Sequence, residues 1–260
     1  MTDLPEVSAP DLAALLASRL CHDIISPVGA VQSGLELLDE MPNDPESMAL
    51  VRNSTKSAVA KLQFARIAYG ASGSSAAQID LGDARQVAEG FMGFERAELS
   101  WTGQRAYVPK NIAKLLLNLV VVANASVPRG RTVSVDITSL EPEVHAVVRA
   151  SGTPLRVPAK FRALLAGETP AEPIDAHGVQ PYYTLLLARE AGLEIALEMK
   201  DDAAIFTISP QREATAAASQ APSEAQLDAP AEALAPGLPA QGTPDVAVAA
   251  ATVDAADPKI

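Results

Sequence analysis

Apolar residues recur every three or four positions along two stretches near the N-terminus. They cover residues 12–38 and 48–69, with the sequence MPNDP between them. This spacing predicts two helices that each bury one face, and Asp44 followed by Pro45 is typical of a helix start. Two helices alone bury too little apolar surface to be stable. We therefore expect residues 10–70 to form a hairpin that pairs with a second copy in a dimeric four-helix bundle.

The pattern changes after the Gly/Ser-rich stretch GASGSS, where short apolar runs alternate with amphipathic segments. This alternation favours an α+β fold in which helices cover one face of a sheet. The predicted strands are 79–81, 97–101, 132–138, 143–150, 193–199 and 204–209, and the predicted helices are 83–92, 109–127, 159–167 and 181–192.

The domain organisation follows from these patterns. Residues 1–9 are expected to be a flexible N-terminus, 10–70 the hairpin, 71–78 a linker and 79–210 an α/β sandwich domain. From residue 211 onward alanine, proline and small polar residues dominate without a period. That composition predicts a disordered tail.

Charge and cysteine content exclude several classes of protein. The formal net charge is −12 and no basic cluster is present, which argues against a nucleic-acid or lipid-binding role. Cys21 is the single cysteine, so an intrachain disulfide and a cysteine-based zinc site are excluded. The N-terminus lacks the pattern of a signal peptide, and we expect no membrane span. We expect a cytoplasmic protein.

The stretch SRLCHDIISPVGAV carries the candidate chemistry. At 100° per residue, His22 lies opposite the apolar face of its helix, among small residues. A neutral imidazole is a competent nucleophile towards a phosphoryl group, and Asp23 is placed to accept a proton or to orient the ring. Pro27 lacks an N–H and is expected to bend the helix. The exposed candidates for partner binding on this face are Ile25, Ser26, Gly29 and Gln32.

The run HDIISP resembles the HDxxxP phosphoacceptor motif of sensor histidine kinases, and KLLLNLVVVANASVPRG resembles their NLxxNA helix. The resemblance covers residues 10–210 and implies a Bergerat-type sandwich domain after the hairpin. The nucleotide contacts depart from the kinase pattern. Val122 occupies the position of the Mg²⁺-binding asparagine, and valine offers no oxygen ligand. The stretch ASGTP places Ala150 and Pro154 where an aspartate and a glycine are expected.

Other residues of this pocket also depart from the kinases. Asn118 matches the first asparagine of the motif, and we interpret it as an ordinary helix polar residue, while Asn124 falls two residues late. GVQPYYTLLLA replaces the second Gly-rich loop, whose backbone N–H groups would bind phosphates. We therefore predict a degenerate nucleotide site, no cofactor and no metal site of the chain's own.

An intact phosphoacceptor beside a degenerate nucleotide site is similar to the ChpT family of histidine phosphotransferases. The resemblance implies a dimer that receives a phosphoryl group on His22 from the receiver domain of a CckA-like hybrid kinase. It implies CtrA-like and CpdR-like response regulators as acceptors, and hence cell-cycle control. Mg²⁺ would be supplied by the receiver.

Three alternatives stay open at this stage. They are an ATP-dependent histidine kinase with a divergent pocket, a non-catalytic module that binds receivers, and an ATPase or chaperone of the same sandwich fold. His145 and His177 have no partner motif in the sequence, and we assign them no chemistry.

Overall fold

The computed structural model describes residues 4–70, 78–168 and 172–211. The helices are α1 (Ala9–Glu40), α2 (Pro45–Ala68), α3 (Leu81–Met92), α4 (Lys110–Ser126), α5 (Ala159–Leu165) and α6 (Val179–Glu190). The strands are β1 (Gln78–Asp80), β2 (Glu98–Thr102), β3 (Tyr107–Pro109), β4 (Thr132–Ser139), β5 (His145–Ser151), β6 (Leu193–Lys200) and β7 (Ala203–Pro210).

Helices α1 and α2 form the predicted antiparallel hairpin. The Asp44 side chain accepts a hydrogen bond from the backbone N–H of Ser47, and Pro45 is the first residue of α2, so the predicted helix start is confirmed. Pro27 lies inside α1 and is buried, and so is Gly34, about two helical turns later. Gly34 lets the helices approach closely, because a Cβ at this position would meet a methyl carbon of Val51 at 2.7 Å.

The apolar stripe of α1 is wider than its contact with α2. Val28 and Leu35 belong to the predicted stripe but are 51% and 50% exposed, because they lie to one side of the contact with the second helix.

The expectation that no stretch approaches a membrane span needs correction. Helix α1 is long and apolar enough to cross a membrane by length and composition, although Arg19 and Asp23 interrupt it with charges.

A five-stranded sheet forms the second part of the fold, in the order β2-β4-β5-β7-β6. Strands β2 and β4 are parallel, and the remaining pairs are antiparallel. Alternate residues of the central strands are buried on one face, such as Val133, Val135 and Val148. Helix α4 covers this face, and its residues 115–117 are almost completely buried. The α+β prediction is confirmed, including helices on one face of the sheet.

The hairpin packs directly on the sheet domain. Phe64 of α2 stacks on Phe91 of α3 with ring centroids 4.5 Å apart, and Ala68 is fully buried. The N-terminal segment, expected to be flexible, contributes Leu4 to the same core, where it is 8% exposed. The hairpin and the sheet domain of one chain therefore share a single hydrophobic core.

Strand β3 was not predicted from the sequence. Its three residues pair with β1 in a separate two-stranded sheet, where Ile79 lies opposite Val108. Helix α6 begins at Val179, two residues before the predicted start. The predicted tail beyond Gln211 and most of the predicted linker, residues 71–77, lie outside the described residues.

Candidate functional site

His22 projects from the outer face of α1. Its side chain is 66% exposed, as the helical spacing predicts. Ile25, one turn further along, is 72% exposed. Ser26 and Gly29 are also exposed, and the space beside the Gly29 Cα is open, with nothing within 4 Å of a Cβ built there. The side of α1 that carries Ser26 and Gly29 is therefore open to the approach of another protein.

Gln32 is exposed on the same helix, and its side-chain amide donates to the Glu36 carboxylate at 3.0 Å. The structure thus places the predicted partner-binding residues along one accessible surface of α1. Pro27, in contrast, is buried and takes no part in this surface.

Asp23 lies beside the imidazole, with its Oδ1 3.5 Å from His22 Nδ1. This separation is at the long limit of a hydrogen bond, so the contact is chiefly electrostatic in the unphosphorylated protein. It leaves Nε2 directed away from Asp23. That Asp23 holds the ring with its far nitrogen free stays a prediction.

Arg19 fixes the carboxylate of Asp23, and sequence analysis missed it. Its Nε donates to Asp23 Oδ2 at 2.9 Å, and both side chains are about one quarter exposed. The two carboxylate oxygens therefore have separate partners, one arginine and one histidine. The signal was present in the sequence, because Arg19 stands four residues before Asp23 and such pairs meet on a helix.

His177 is the second residue that sequence analysis did not assign to the site. It lies in the loop between α5 and α6, and its ring meets His22 edge to face. The ring centroids are 5.5 Å apart and the planes are inclined by 79°. No local pattern could predict a contact between residues so far apart in sequence.

A buried hydrogen-bond network lies at the junction of hairpin and sheet domain. Asn118 donates to the carbonyl oxygens of Ala68 and Lys114 at 3.2 and 2.8 Å, and it accepts from Gln180 at 2.6 Å. Gln180 in turn accepts from the Tyr69 hydroxyl at 2.5 Å. Burial raises the pKa of Tyr69 far above its ordinary value. Asn118 is thus a structural residue with both amide protons engaged.

The positions that match nucleotide contacts in kinases lie within the protein core or bind internal partners. Val122 is 2% exposed and Ala150 is fully buried, while Pro154 follows a cis peptide bond and is half-buried. Asn124 donates to Glu95 at 3.0 Å. Val122, Ala150 and Pro154 have no side-chain oxygen with which to bind a metal–nucleotide complex.

Tyr182 and Tyr183 are also buried, in the helix that replaces the second Gly-rich loop. Burial raises the pKa of Tyr183 to about 12. Among residues 4–70, 78–168 and 172–211, no group of three or more His, Cys, Asp or Glu side chains is placed to hold a metal ion.

Comparison with known proteins places this geometry in a wider context. A family model described as the histidine phosphotransferase C-terminal domain matches residues 81–203. The protein phosphotransferase ChpT of Brucella abortus (strain 2308) is 50% identical over 201 residues, which is 77% of this chain and 96% of that relative.

A solved structure of a bacterial phosphotransferase is 49% identical and superimposes with a TM-score of 0.75, covering 79% of this chain and 100% of its own. The histidine kinase AdeS of Acinetobacter baumannii is 13% identical with a TM-score of 0.39, over 73% of this chain and 96% of that chain. The two closely similar phosphotransferases thus each span more than three quarters of the sequence.

Proposed function

The chain belongs to the histidine phosphotransferase family that includes ChpT, and from this premise we propose that His22 is the phosphoacceptor of a phosphorelay. The observation that carries the proposal is an exposed imidazole whose Nδ1 faces Asp23, so that Nε2 points away from this carboxylate. Ser26 and Gly29 are small and exposed on the same helix, so a partner can bring a phosphoryl group to the imidazole.

The transfer step is a displacement at phosphorus. The Nε2 lone pair of neutral His22 attacks the phosphoryl group of a receiver phosphoaspartate. The N–P bond forms as the P–O bond breaks, and the receiver carboxylate leaves with the electron pair. The ring proton stays on Nδ1, where the Asp23 carboxylate stabilises the positive charge that the imidazole acquires. Return transfer to a second receiver reverses these changes.

The donor in this proposal is another protein and not ATP. Val122 has no ligand atom and Asn118 uses its amide in the buried network. Several contacts to a nucleotide would therefore be missing, and each lost contact to a charged group costs roughly 2 kcal/mol. We propose a CckA-like hybrid kinase as donor and CtrA-like and CpdR-like regulators as acceptors, with cell-cycle control in the cytoplasm as the setting.

Receivers are proposed to dock on α1 over Ile25, Ser26, Gly29 and Gln32. Ile25 supports this placement because an apolar side chain so exposed gains most from burial by a partner. The Mg²⁺ that neutralises phosphate charge would arrive with the receiver. The chain itself supplies the nucleophile and the surface on which the receiver docks.

We also propose a homodimer formed through the hairpin, residues 10–70, with residues 79–210 as a second domain. Four partly exposed apolar residues support it, because helical spacing places them on the hairpin face away from the sheet domain. They are Val28 and Leu35 of α1 and Val59 and Leu62 of α2, all 47–51% exposed. A second copy would cover this face and complete a four-helix bundle.

The test compares two possible phosphate sources. The full chain and its His22→Ala variant are incubated with radiolabelled ATP alone, and separately with a receiver domain already labelled on its aspartate. We expect labelling of the wild type from the receiver only, and none of the variant. The matched control is His145→Ala, which removes the partly exposed histidine beside Glu143 and should label normally. Labelling from ATP alone, or labelling of His22→Ala, would contradict the proposal.

A further inference from the structure

Two histidines from distant parts of the chain meet at the phosphoacceptor position. The His177 ring lies 5.5 Å from the His22 ring, centroid to centroid, at a steep angle of 79°. Both residues are exposed, so the contact occurs at the surface where a receiver would dock. His22 belongs to the hairpin, and His177 to the sheet domain.

The loop that carries His177 is held on both sides. Asp175 accepts hydrogen bonds from the Gly178 backbone N–H at 2.6 Å and from Lys160 Nζ at 2.7 Å. These two donors hold the pKa of Asp175 below its ordinary value. On the other side, Gln180 is buried and bonded to Asn118 and Tyr69. The imidazole is thus presented by an anchored segment.

We propose that His177 is a phosphoryl-binding residue of this site, which donates a ring N–H to an oxygen of the phosphoryl group on His22. The inference rests on the proposed function and adds the sheet domain to the site. Nδ1 of His22 faces Asp23, so a phosphoryl group on Nε2 would carry its oxygens away from that carboxylate. An imidazole has at least one N–H donor in either protonation state.

A donor at this position acts on the charge that builds up during transfer. The transferring phosphoryl group spreads negative charge over three oxygens, and fixed donors directed at such charge accelerate the reaction. Two cations near the site are engaged by carboxylates, because Arg19 binds Asp23 and Lys160 binds Asp175. His177 therefore supplies a function that neither of these two side chains performs.

Phosphoramidate tests the proposal without a docked receiver. It transfers its phosphoryl group as the His22 N–P bond forms, its own P–N bond breaks, and ammonia leaves. Three variants separate the features of the ring. His177→Gln keeps an N–H donor, His177→Phe keeps an aromatic edge without a donor, and His177→Ala keeps neither. His145→Ala is the matched control, and circular dichroism checks the fold of each variant.

We expect the rate of His22 phosphorylation, followed by ³¹P NMR, to fall about tenfold in His177→Phe and His177→Ala, as the loss of one hydrogen bond to a charged group implies. His177→Gln should stay within about threefold of the wild type, because it keeps the donor. The same order should appear in transfer from a labelled receiver. Equal rates in all variants would overturn the inference, as would full activity in His177→Phe with loss in His177→Gln.

These outcomes are distinct from failure of the proposed function. If His22 is phosphorylated normally and the His177 variants match the wild type, only the role of His177 is wrong. If neither phosphoramidate nor a labelled receiver modifies His22, the proposed function fails and this inference fails with it.

Discussion

The Tyr69 hydroxyl, at the end of the hairpin, donates a hydrogen bond to the side-chain oxygen of Gln180 in the first turn of α6, at 2.5 Å. Gln180 also donates to Asn118, whose own amide reaches the Ala68 carbonyl. The hydrogen-bond network thus begins at Tyr69 and ends at its chain neighbour Ala68, both at the end of the hairpin. It links the hairpin to the sheet domain at a point where Asn118 and Gln180 are buried and Tyr69 is partly buried.

The first prediction concerns this network. Tyr69→Phe removes one hydroxyl and leaves the Gln180 oxygen buried without that partner, which costs about 1–3 kcal/mol. Urea unfolding should show a free energy of unfolding lowered by this amount. Asn111→Ala is the control, because it removes an amide bonded to Glu190 at the surface. It should change stability by less than about 0.5 kcal/mol, and an equal loss in both variants would contradict the role of the network.

The second prediction concerns Asp23. Asp23→Asn keeps the shape of the side chain but removes the charge that stabilises the phosphorylated imidazole, so transfer from a receiver should slow by roughly tenfold or more. A rapid-mixing assay with a labelled receiver measures the rate. Asp39→Asn, an exposed carboxylate later on the same helix, should transfer at the wild-type rate. Unchanged transfer in Asp23→Asn would remove the carboxylate from the mechanism.

The third prediction concerns the docking surface. Gly29→Arg adds a large side chain into open space, so the hairpin tolerates it while an approaching receiver collides with it. Ile25→Asp places a charge where apolar contact is expected. Each variant should weaken receiver binding by at least about tenfold, measured by calorimetry. Phosphoramidate should still label His22 in both, because this small donor needs no docking surface. Wild-type binding in both variants would place the receiver elsewhere.

The fourth prediction concerns the oligomer. Leu35→Glu puts a charge in the proposed contact between two hairpins and should raise the dissociation constant of the dimer at least about tenfold. Light scattering across a dilution series measures the change. Leu37→Glu is matched in chemistry and starts from a side chain that is 40% exposed, but it lies 200° further around α1. Equal dimerisation of both variants would exclude this face as the interface.

The fifth prediction concerns alkaline stability. Burial raises the pKa of Tyr183 to about 12, whereas a tyrosine in an unfolded chain ionises near pH 10, at a pKa of about 10. The contribution of Tyr183 to the free energy of unfolding is fully present below about pH 10. As the pH rises towards about 12, this tyrosine loses its proton in the unfolded chain before it does so in the folded protein, so the free energy of unfolding falls.

Tyr183→Phe has no hydroxyl to ionise and should lose less stability than the wild type between about pH 9 and about pH 11. Urea unfolding at several pH values measures the difference. Tyr107→Phe, at a residue that is 70% exposed, should follow the wild-type decline. If Tyr183→Phe follows it too, Tyr183 does not account for the alkaline loss.

Local periodicity was enough to predict the hairpin, the exposure of His22 and the α+β class. It placed His22 opposite the seam because a helix repeats every 3.6 residues. It failed for β3, since three residues are too short to show a strand period. It also failed for the contact of His177 with His22, because the α5–α6 loop reaches α1 only through packing of the whole chain. Val28 and Leu35 fit the apolar stripe without facing α2, since the pattern cannot show which partner covers each residue.

The bonds of Tyr69 and Gln180 bear on the direction in which phosphate moves. The hairpin and the sheet domain share one core and one hydrogen-bond network. In the proposed relay, a receiver that delivers phosphate and a receiver that removes it would meet the same surface. Since one site lowers the barrier equally in both directions, the ratio of phosphorylated to unphosphorylated receivers, and not a rearrangement of this protein, would then set the net direction of transfer.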